Sequence, residues 1–150
     1  MTTLKIGSKA PDFQAIDQNG KKISLADFKG RKLILYFYPK DDTPGCTAEA
    51  CNLRDNHTDL IKKGYATVGV SADDEKSHQK FITKFNLPFP LISDVDKKVI
   101  RAYEAWGEKK NFGISYEGIF RKTYVISEDG IIENIIEKVE TKDHVRQIFE

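Results

Sequence analysis

The chain has 150 residues, 39% of them hydrophobic, and its 24 basic and 23 acidic side chains leave a net charge of +1. This length fits a single domain over residues 1–150, large enough to bury a substantial core. The balanced charge excludes a global attraction to nucleic acid, and no apolar run approaches the roughly 18 residues that a membrane span needs. We therefore expect a globular protein with neither nucleic-acid nor membrane partners.

The first third of the chain predicts a hairpin, a central strand and a helix. Residues 12–30 read as two short strands around an Asn-Gly turn, because Asn-Gly favours the positive φ values of a tight hairpin. Residues 32–38 form a continuous apolar run, typical of a strand covered on both faces, which ends at Pro39. A helical pattern follows over 47–63 and ends before a glycine.

Strands and helices alternate through the rest of the chain. Residues 107–118 contain three glycines and mixed polarity, which predicts a surface loop. The other predicted elements are strands over 65–72, 87–94, 120–127 and 131–139 and helices over 75–85, 96–106 and 142–150. This order predicts an α/β fold with a mixed central sheet and helices on both faces.

The two cysteines of the sequence, Cys46 and Cys51, lie together just after the apolar strand. Residues 1–13 contain no apolar run typical of a secretion signal, so we expect a cytoplasmic protein. In that reducing compartment such a pair favours redox chemistry over a structural bridge. Two cysteines alone do not make a structural zinc site. On a helix with about 100° per residue, Cys46 lies on the core-facing stripe and Cys51 about 140° away. In the first turn, Cys46 also faces unpaired backbone N–H groups that stabilise a thiolate.

The spacing of the cysteines predicts a division of roles. Residues five apart on an intact helix have Cα atoms roughly 8 to 9 Å apart, whereas a disulfide needs less than about 7 Å. The pair can therefore bond only after the first helical turns unwind. We expect Cys46 to attack an oxidant and become a sulfenic acid, with which Cys51 then condenses. The Thr43 hydroxyl and the backbone N–H groups of Gly45 and Cys46 are candidates for binding the oxidant and stabilising its leaving oxygen.

The segment PKDDTPGC, with Pro39, Thr43 and Cys46 in the spacing P-x-x-x-T-x-x-C, resembles the active-site signature of the peroxiredoxins. The following TAEAC resembles the bacterioferritin comigratory protein, or peroxiredoxin Q, subfamily. The resemblance extends to GxxAPDF at 7–13, GVSAD at 69–73, FPLISD at 89–94, AWGEKKNFG at 105–113 and GIFRKTYVI at 118–126.

The resemblance implies a thioredoxin-like fold with an N-terminal extension, here the hairpin. It also implies reduction of hydrogen peroxide and organic hydroperoxides by thiol chemistry, without a metal or other cofactor. It makes Cys46 the peroxidatic cysteine and Cys51 the resolving cysteine, recycled by thioredoxin or a similar dithiol. Thr43 would hydrogen-bond the peroxide, and Pro39 would shield the sulfenic acid from water. Arg121 would stabilise the thiolate and orient the substrate. We expect a monomer, because the resolving cysteine is on the same chain, and a Cys46 sulfur open to solvent.

Each of these residues also has a plainer interpretation. Without the resemblance, Arg121 reads as a solvated surface residue, Thr43 as a helix cap and Pro39 as the end of a strand. The whole chain could instead be a thiol-disulfide oxidoreductase acting on proteins, although those usually carry Cys-x-x-Cys. A redox sensor whose helix melts on oxidation is a third alternative.

Several other polar residues are predicted to be structural. We expect His57 to be a partly buried packing residue and His78 and His144 to lie on the surface. Trp106 reads as a packing residue beside the loop. The acidic run in residues 71–75 predicts a helix cap rather than a metal site, because no further ligand has suitable spacing.

Overall fold

The computed structural model describes residues 3–149, which fold into nine β-strands and five α-helices. The strands are β1 (Gln14–Ile16), β2 (Lys22–Ser24), β3 (Lys32–Phe37), β4 (Tyr65–Ser71), β5 (Leu91–Ser93), β6 (Trp106–Asn111), β7 (Ile114–Ile119), β8 (Lys122–Ile126) and β9 (Ile132–Ile136). The helices are α1 (Pro44–Asp55), α2 (His57–Lys62), α3 (Glu75–Phe85), α4 (Lys98–Ala102) and α5 (His144–Phe149), and a short 3-10 helix, Leu25–Phe28, follows β2. Across residues 3–149, no helix combines the length and the apolar character that crossing a membrane requires.

Five strands form the central sheet in the order β5-β4-β3-β8-β9. Strand β3 pairs in parallel with β4, and β4 pairs in parallel with β5. On the other side, β8 is antiparallel to β3, and β9 is antiparallel to β8. The apolar run therefore lies at the centre of a mixed sheet, as predicted. The N-terminal hairpin β1–β2 is also confirmed, with the glycine of its Asn-Gly turn at a φ of 74°.

Helices cover both faces of the sheet. Successive side chains of β3 point to opposite faces, so this one strand contributes to the packing on each side. Leu35 and Phe37 belong to a buried cluster on one face that also includes Val99 of α4. Ile34 and Tyr36 pack on the other face, in a cluster with buried side chains of α1, α2, α3 and α5. The predicted two-sided arrangement is confirmed, and most helices lie on the face that includes Cys46.

The helix expected over 47–63 is in fact two helices, and the first begins earlier. Pro44 occupies the first position of α1, where its missing N–H is not needed. Asn56 interrupts the helix, and its side-chain Nδ2 donates to the Asn52 carbonyl oxygen at 2.8 Å. This side-chain bond competes with regular helical pairing. Cys46 thus lies in the first turn, and Cys51 lies on the same helix.

Residues 107–118 are not a loop, and this prediction was wrong. They form most of the antiparallel hairpin β6–β7, whose two-residue turn is Phe112–Gly113, both with positive φ. Such a turn matches the twist of the paired strands. Most side chains of β7 are exposed. Because neither face of the hairpin is fully covered, its sequence lacks the apolar alternation from which a strand is predicted.

Candidate active site

Cys46 lies in a sheltered position at the start of α1. Thr43 precedes the helix with an extended backbone, and the first turn packs onto the sheet. Both cysteines are free thiols, with Cys46 only 1% exposed and Cys51 half-buried. The expectation of a Cys46 sulfur open to solvent is therefore wrong. The side chain belongs to the core stripe of α1, and the neighbouring guanidinium contacts its sulfur.

Arg121, which immediately precedes β8, extends its guanidinium to this sulfur. Its Nη2 lies 3.3 Å from Cys46 Sγ, and its Nη1 donates to Glu49 Oε1 at 3.0 Å. With its side chain 24% exposed, Arg121 is not a solvated surface residue. Gly45 makes room for it, because a Cβ at this position would lie 3.0 Å from Arg121 Nη2. The structure thus brings Cys46, Gly45 and Arg121 together.

Thr43 and Pro39 lie in the segment that joins β3 to α1. Thr43 occupies the cap position of α1 but makes no side-chain cap bond. Its hydroxyl instead donates to the Lys40 carbonyl oxygen at 2.8 Å, which leaves the hydroxyl lone pairs able to accept a bond from a ligand. Pro39 is half-buried two residues beyond the end of β3. The cap interpretation of Thr43 therefore describes its position and not its side chain.

Glu49 is a component of the site that sequence reasoning missed. It is fully buried on α1, and its Oε1 accepts from Arg121. Burial raises the pKa of Glu49 to about 7, and the Arg121 charge opposes this increase. Its position could have been predicted from its spacing. Glu49 lies three residues after Cys46, residues three apart on a helix share a face, and Cys46 lies on the core side.

His144 lies beneath Glu49 and is fully buried, so its predicted surface position was wrong. Its Nε2 is 2.8 Å from the Thr123 hydroxyl and 3.4 Å from Glu49 Oε2, and its Nδ1 is 2.9 Å from Gln147 Oε1. Burial lowers the pKa of His144; its hydrogen bond with Gln147 opposes this decrease, and the Arg121 charge adds to it. The structure therefore extends the site from α1 to the C-terminal helix.

His78 is also fully buried, which corrects the other surface prediction. Its Nδ1 lies 2.7 Å from Asp41 Oδ2, and its Nε2 lies 2.9 Å from the Ile92 carbonyl oxygen. Asp74 caps α3 as expected, by accepting from the Ser77 backbone N–H at 2.8 Å.

Asp73, the other cap candidate, has a different role. Its Oδ2 accepts from the Asp41 backbone N–H at 2.9 Å and from the Ser71 hydroxyl at 2.7 Å. Asp41, Asp73 and His78 offer ligand atoms within 4.8 Å of one another, a grouping that sequence spacing did not indicate. These atoms are engaged in the protein's own hydrogen bonds, which hold the segment before Thr43 against α3.

A cleft opens on the outer side of Arg121. Its lining includes Lys109 and Phe120, with Glu104, Lys122 and Glu137. Burial lowers the pKa of Lys109, and the neighbouring Arg121 charge acts in the same direction. Arg121 lines this open cleft, whereas Cys46 is covered.

Trp106 and His57 lie outside the site in packing positions. The Trp106 Nε1 donates to Glu117 Oε2 at 2.9 Å, and the half-buried ring packs against the core. His57 is half-buried, with its ring 6.1 Å from that of Phe89. Both interpretations as packing residues are confirmed.

The arrangement suits a thiolate nucleophile. A guanidinium is always charged and presents several donors, so it can hold an anionic sulfur and a polar oxidant together. The helix N-terminus adds positive potential at the same sulfur.

Comparisons with known proteins agree with this chemistry. Residues 6–135 match the model of the AhpC/TSA family. Peroxiredoxin Bcp of Bacillus subtilis is 44% identical over 148 residues, covering 99% of this chain and 94% of that protein. Peroxiredoxin Bcp of Escherichia coli is 42% identical over 144 residues, covering 96% and 92%. A structure of Xanthomonas campestris peroxiredoxin Q superposes with a TM-score of 0.85 at 34% identity, covering 91% of this chain and 86% of that one.

Proposed function

Because this chain belongs to the AhpC/TSA family, as a thiol peroxidase of the Bcp and peroxiredoxin Q type, we propose that Cys46 is the residue that attacks the hydroperoxide. Its thioredoxin-like fold is that of the family, as expected. The observation that carries the proposal is the 3.3 Å contact between Cys46 Sγ and Arg121 Nη2 at the start of α1. A guanidinium at this distance can hold the sulfur and a hydroperoxide together, because it presents several donors in a fixed arrangement.

The first step is a nucleophilic displacement on oxygen. The Cys46 thiolate attacks the outer oxygen of the hydroperoxide, the O–O bond breaks, and its electron pair leaves with the alkoxide. Arg121 and the backbone N–H groups of Gly45 and Cys46 stabilise the developing charge. Thr43 accepts a hydrogen bond from the peroxide, and Pro39 limits the access of water to the sulfenic acid. Since the sulfur is 1% exposed, the oxidant reaches it after a displacement of Arg121 or of the first turn of α1.

The second step joins the two cysteines. Cys51 attacks the Cys46 sulfenic acid, water leaves, and an intramolecular disulfide forms. Both residues lie on α1, where five residues separate their Cα atoms by roughly 8 to 9 Å, so the helix must unwind locally. A thioredoxin-type dithiol then reduces the disulfide.

The setting of the enzyme follows from this cycle. Both cysteines must be returned to thiols after each turnover, which is suited to the reducing cytoplasm. One chain holds both cysteines, so we propose a monomer formed by a single domain over residues 1–150. The roles of the substrate and the dithiol reductant require neither a nucleic-acid nor a membrane partner.

Matched cysteine variants test the assignment. Cys46→Ser should reduce hydroperoxide consumption, coupled to thioredoxin and NADPH oxidation, to the uncatalysed background. Cys51→Ser should consume about one equivalent of hydroperoxide and then stop with thioredoxin as reductant. Consumption by Cys46→Ser at the native rate would overturn the proposal.

A substitution of the arginine tests the contact that carries the proposal. Arg121→Met keeps the length of the apolar stem and removes the donors. We expect the rate of Cys46 oxidation to fall by about 100- to 1,000-fold, the usual cost of removing a donor that stabilises a developing anion. An unchanged rate in a folded Arg121→Met protein would exclude this role.

A further inference from the structure

The hydrogen bonds around His144 define which of its ring nitrogens carries a proton. Gln147 Nε2 donates to the Lys138 carbonyl oxygen at 2.8 Å, and its Oε1 accepts from the Glu140 backbone N–H at 2.9 Å. The Gln147 amide orientation is therefore set by two backbone groups. Since Oε1 can only accept, Nδ1 of His144 must donate to it at 2.9 Å. In the neutral ring, Nε2 is then an acceptor, and the Thr123 hydroxyl donates to it.

Glu49 Oε2 faces this acceptor nitrogen. The two atoms are 3.4 Å apart, and both side chains are fully buried. Among residues 3–149, no hydrogen-bond donor reaches Oε2, whereas Oε1 is held by Arg121. Two acceptors, Nε2 and Oε2, thus lie side by side away from water, which is unfavourable unless a proton lies on one of them. The geometry provides a binding place for one additional proton.

The charges on neighbouring elements link this proton to the state of Cys46. The pair is contacted by Arg121 before β8, Thr123 on β8 and Gln147 on α5, and Tyr36 on β3 interacts electrostatically with Glu49. Arg121 in turn contacts Cys46 on α1, and the charge of Lys109 on β6 acts on Arg121 and Cys46. A single Arg121 charge serves both the Cys46 thiolate and the Glu49 carboxylate. Two anions beside one cation favour a proton on the carboxylate, while one anion beside it does not.

We propose, resting on the proposed function, that Glu49 and His144 share one additional proton while Cys46 is a thiolate and release it when Cys46 becomes a sulfenic acid. The charge then balances within the site. The thiolate, the hydroperoxide and one proton give the sulfenic acid and the alcohol: sulfur loses two electrons, the O–O bond gains them, and the alkoxide takes up the proton. Glu49 and His144 are positioning residues in this scheme, because they act through Arg121.

The full chain with Cys51→Ser tests this proposal, because its oxidation stops at the sulfenic acid. Infrared difference spectra, recorded before and after one equivalent of hydroperoxide, report the carbonyl band of a protonated carboxylic acid. Nitrogen NMR of the same protein reports the protonation of His144. We expect the loss of about one proton from the pair for each Cys46 oxidised, seen as a lost glutamic-acid band or a deprotonated His144 ring. Isotope labelling of glutamate carboxyls assigns the band without any further substitution.

Two variants sharpen the result. Glu49→Gln in the Cys51→Ser background should abolish the change, and Glu128→Gln, which removes an exposed carboxylate beyond the opposite end of β8, should preserve it. Oxidation of Cys46, confirmed by the added oxygen mass, with neither a carboxylic-acid nor an imidazole change would overturn the proton-sharing proposal alone. Failure of Cys46 to oxidise would instead overturn the proposed function.

Discussion

The protein buries two carboxylate–histidine pairs that are built differently. In the Asp41–His78 pair, the ring Nδ1 lies 2.7 Å from a carboxylate oxygen, and the ring Nε2 donates to a backbone carbonyl oxygen at 2.9 Å. In the Glu49–His144 pair, the closest approach is 3.4 Å, and the nitrogen involved already accepts from a threonine hydroxyl. The first pair is fully hydrogen-bonded, whereas the second leaves one carboxylate oxygen without a donor among the residues described.

This difference indicates a structural role for the Asp41–His78 pair and a chemical role for the Glu49–His144 pair. Asp41 also accepts from the Tyr38 and Ser77 hydroxyls, so its pair joins β3, α3 and the segment that leads into the first turn of α1. A saturated network of this kind rigidifies the structure around it. The Glu49 pair lies directly beneath Arg121 and can still bind a proton. In the proton-sharing proposal, this unsatisfied buried group near Cys46 has a function and is not a packing fault.

Replacing His78 or His144 should give the largest change in the free energy of unfolding. His78→Leu leaves the Asp41 carboxylate without its ring partner and should lower the free energy of unfolding by about 3 to 5 kcal/mol. His144→Leu should cost less, about 2 kcal/mol, because Glu49 keeps Arg121 and can bind a proton. Urea denaturation at neutral pH measures both. The half-buried His57→Leu control should lose less than about 1 kcal/mol. Equal losses at His78 and His144 would contradict the distinction.

The pH dependence of stability should show the next largest effect. Burial raises the pKa of Glu49 from 4.5 to about 7, so the folded protein binds this proton more tightly than the unfolded chain does. The Glu49 contribution to stability is therefore fully present below pH 4.5 and is lost as the pH rises toward 7. Glu49→Gln should gain up to about 3 kcal/mol relative to the native protein across this interval. A pH-independent difference would show that folding does not raise the pKa of Glu49.

The smallest effect is expected from a surface pair next to the saturated network. Lys84 Nζ lies 2.9 Å from Asp42 Oδ2, and both side chains are about half exposed or more, at 59% and 47%. Lys84→Ala should change the free energy of unfolding by less than about 1 kcal/mol, because water and salt screen such pairs. A loss as large as that of His78→Leu would mean that charge alone, and not burial, controls the neighbouring network.

The features that follow from local sequence were predicted well. The Asn-Gly turn, the apolar β3 run and the placement of Cys46 near a helix start depend on residues close along the chain, and each was confirmed. The Cys46–Cys51 spacing also identified the redox chemistry, since helix geometry alone separates residues five apart. The hairpin over 107–118 was missed because strand pairing without a buried face leaves no periodic signal.

Only the tertiary structure determined which charged groups surround the sulfur. Arg121 meets Cys46 across 75 residues of sequence, and His144 reaches Glu49 from the C-terminal helix. A glutamate or histidine in a helical pattern reads as solvent-facing, because burying such a group is favourable only when a distant partner arrives. Packing between distant segments buries Cys46, His78 and His144 and raises the proton affinity of Glu49. Local sequence patterns contain no information about such packing.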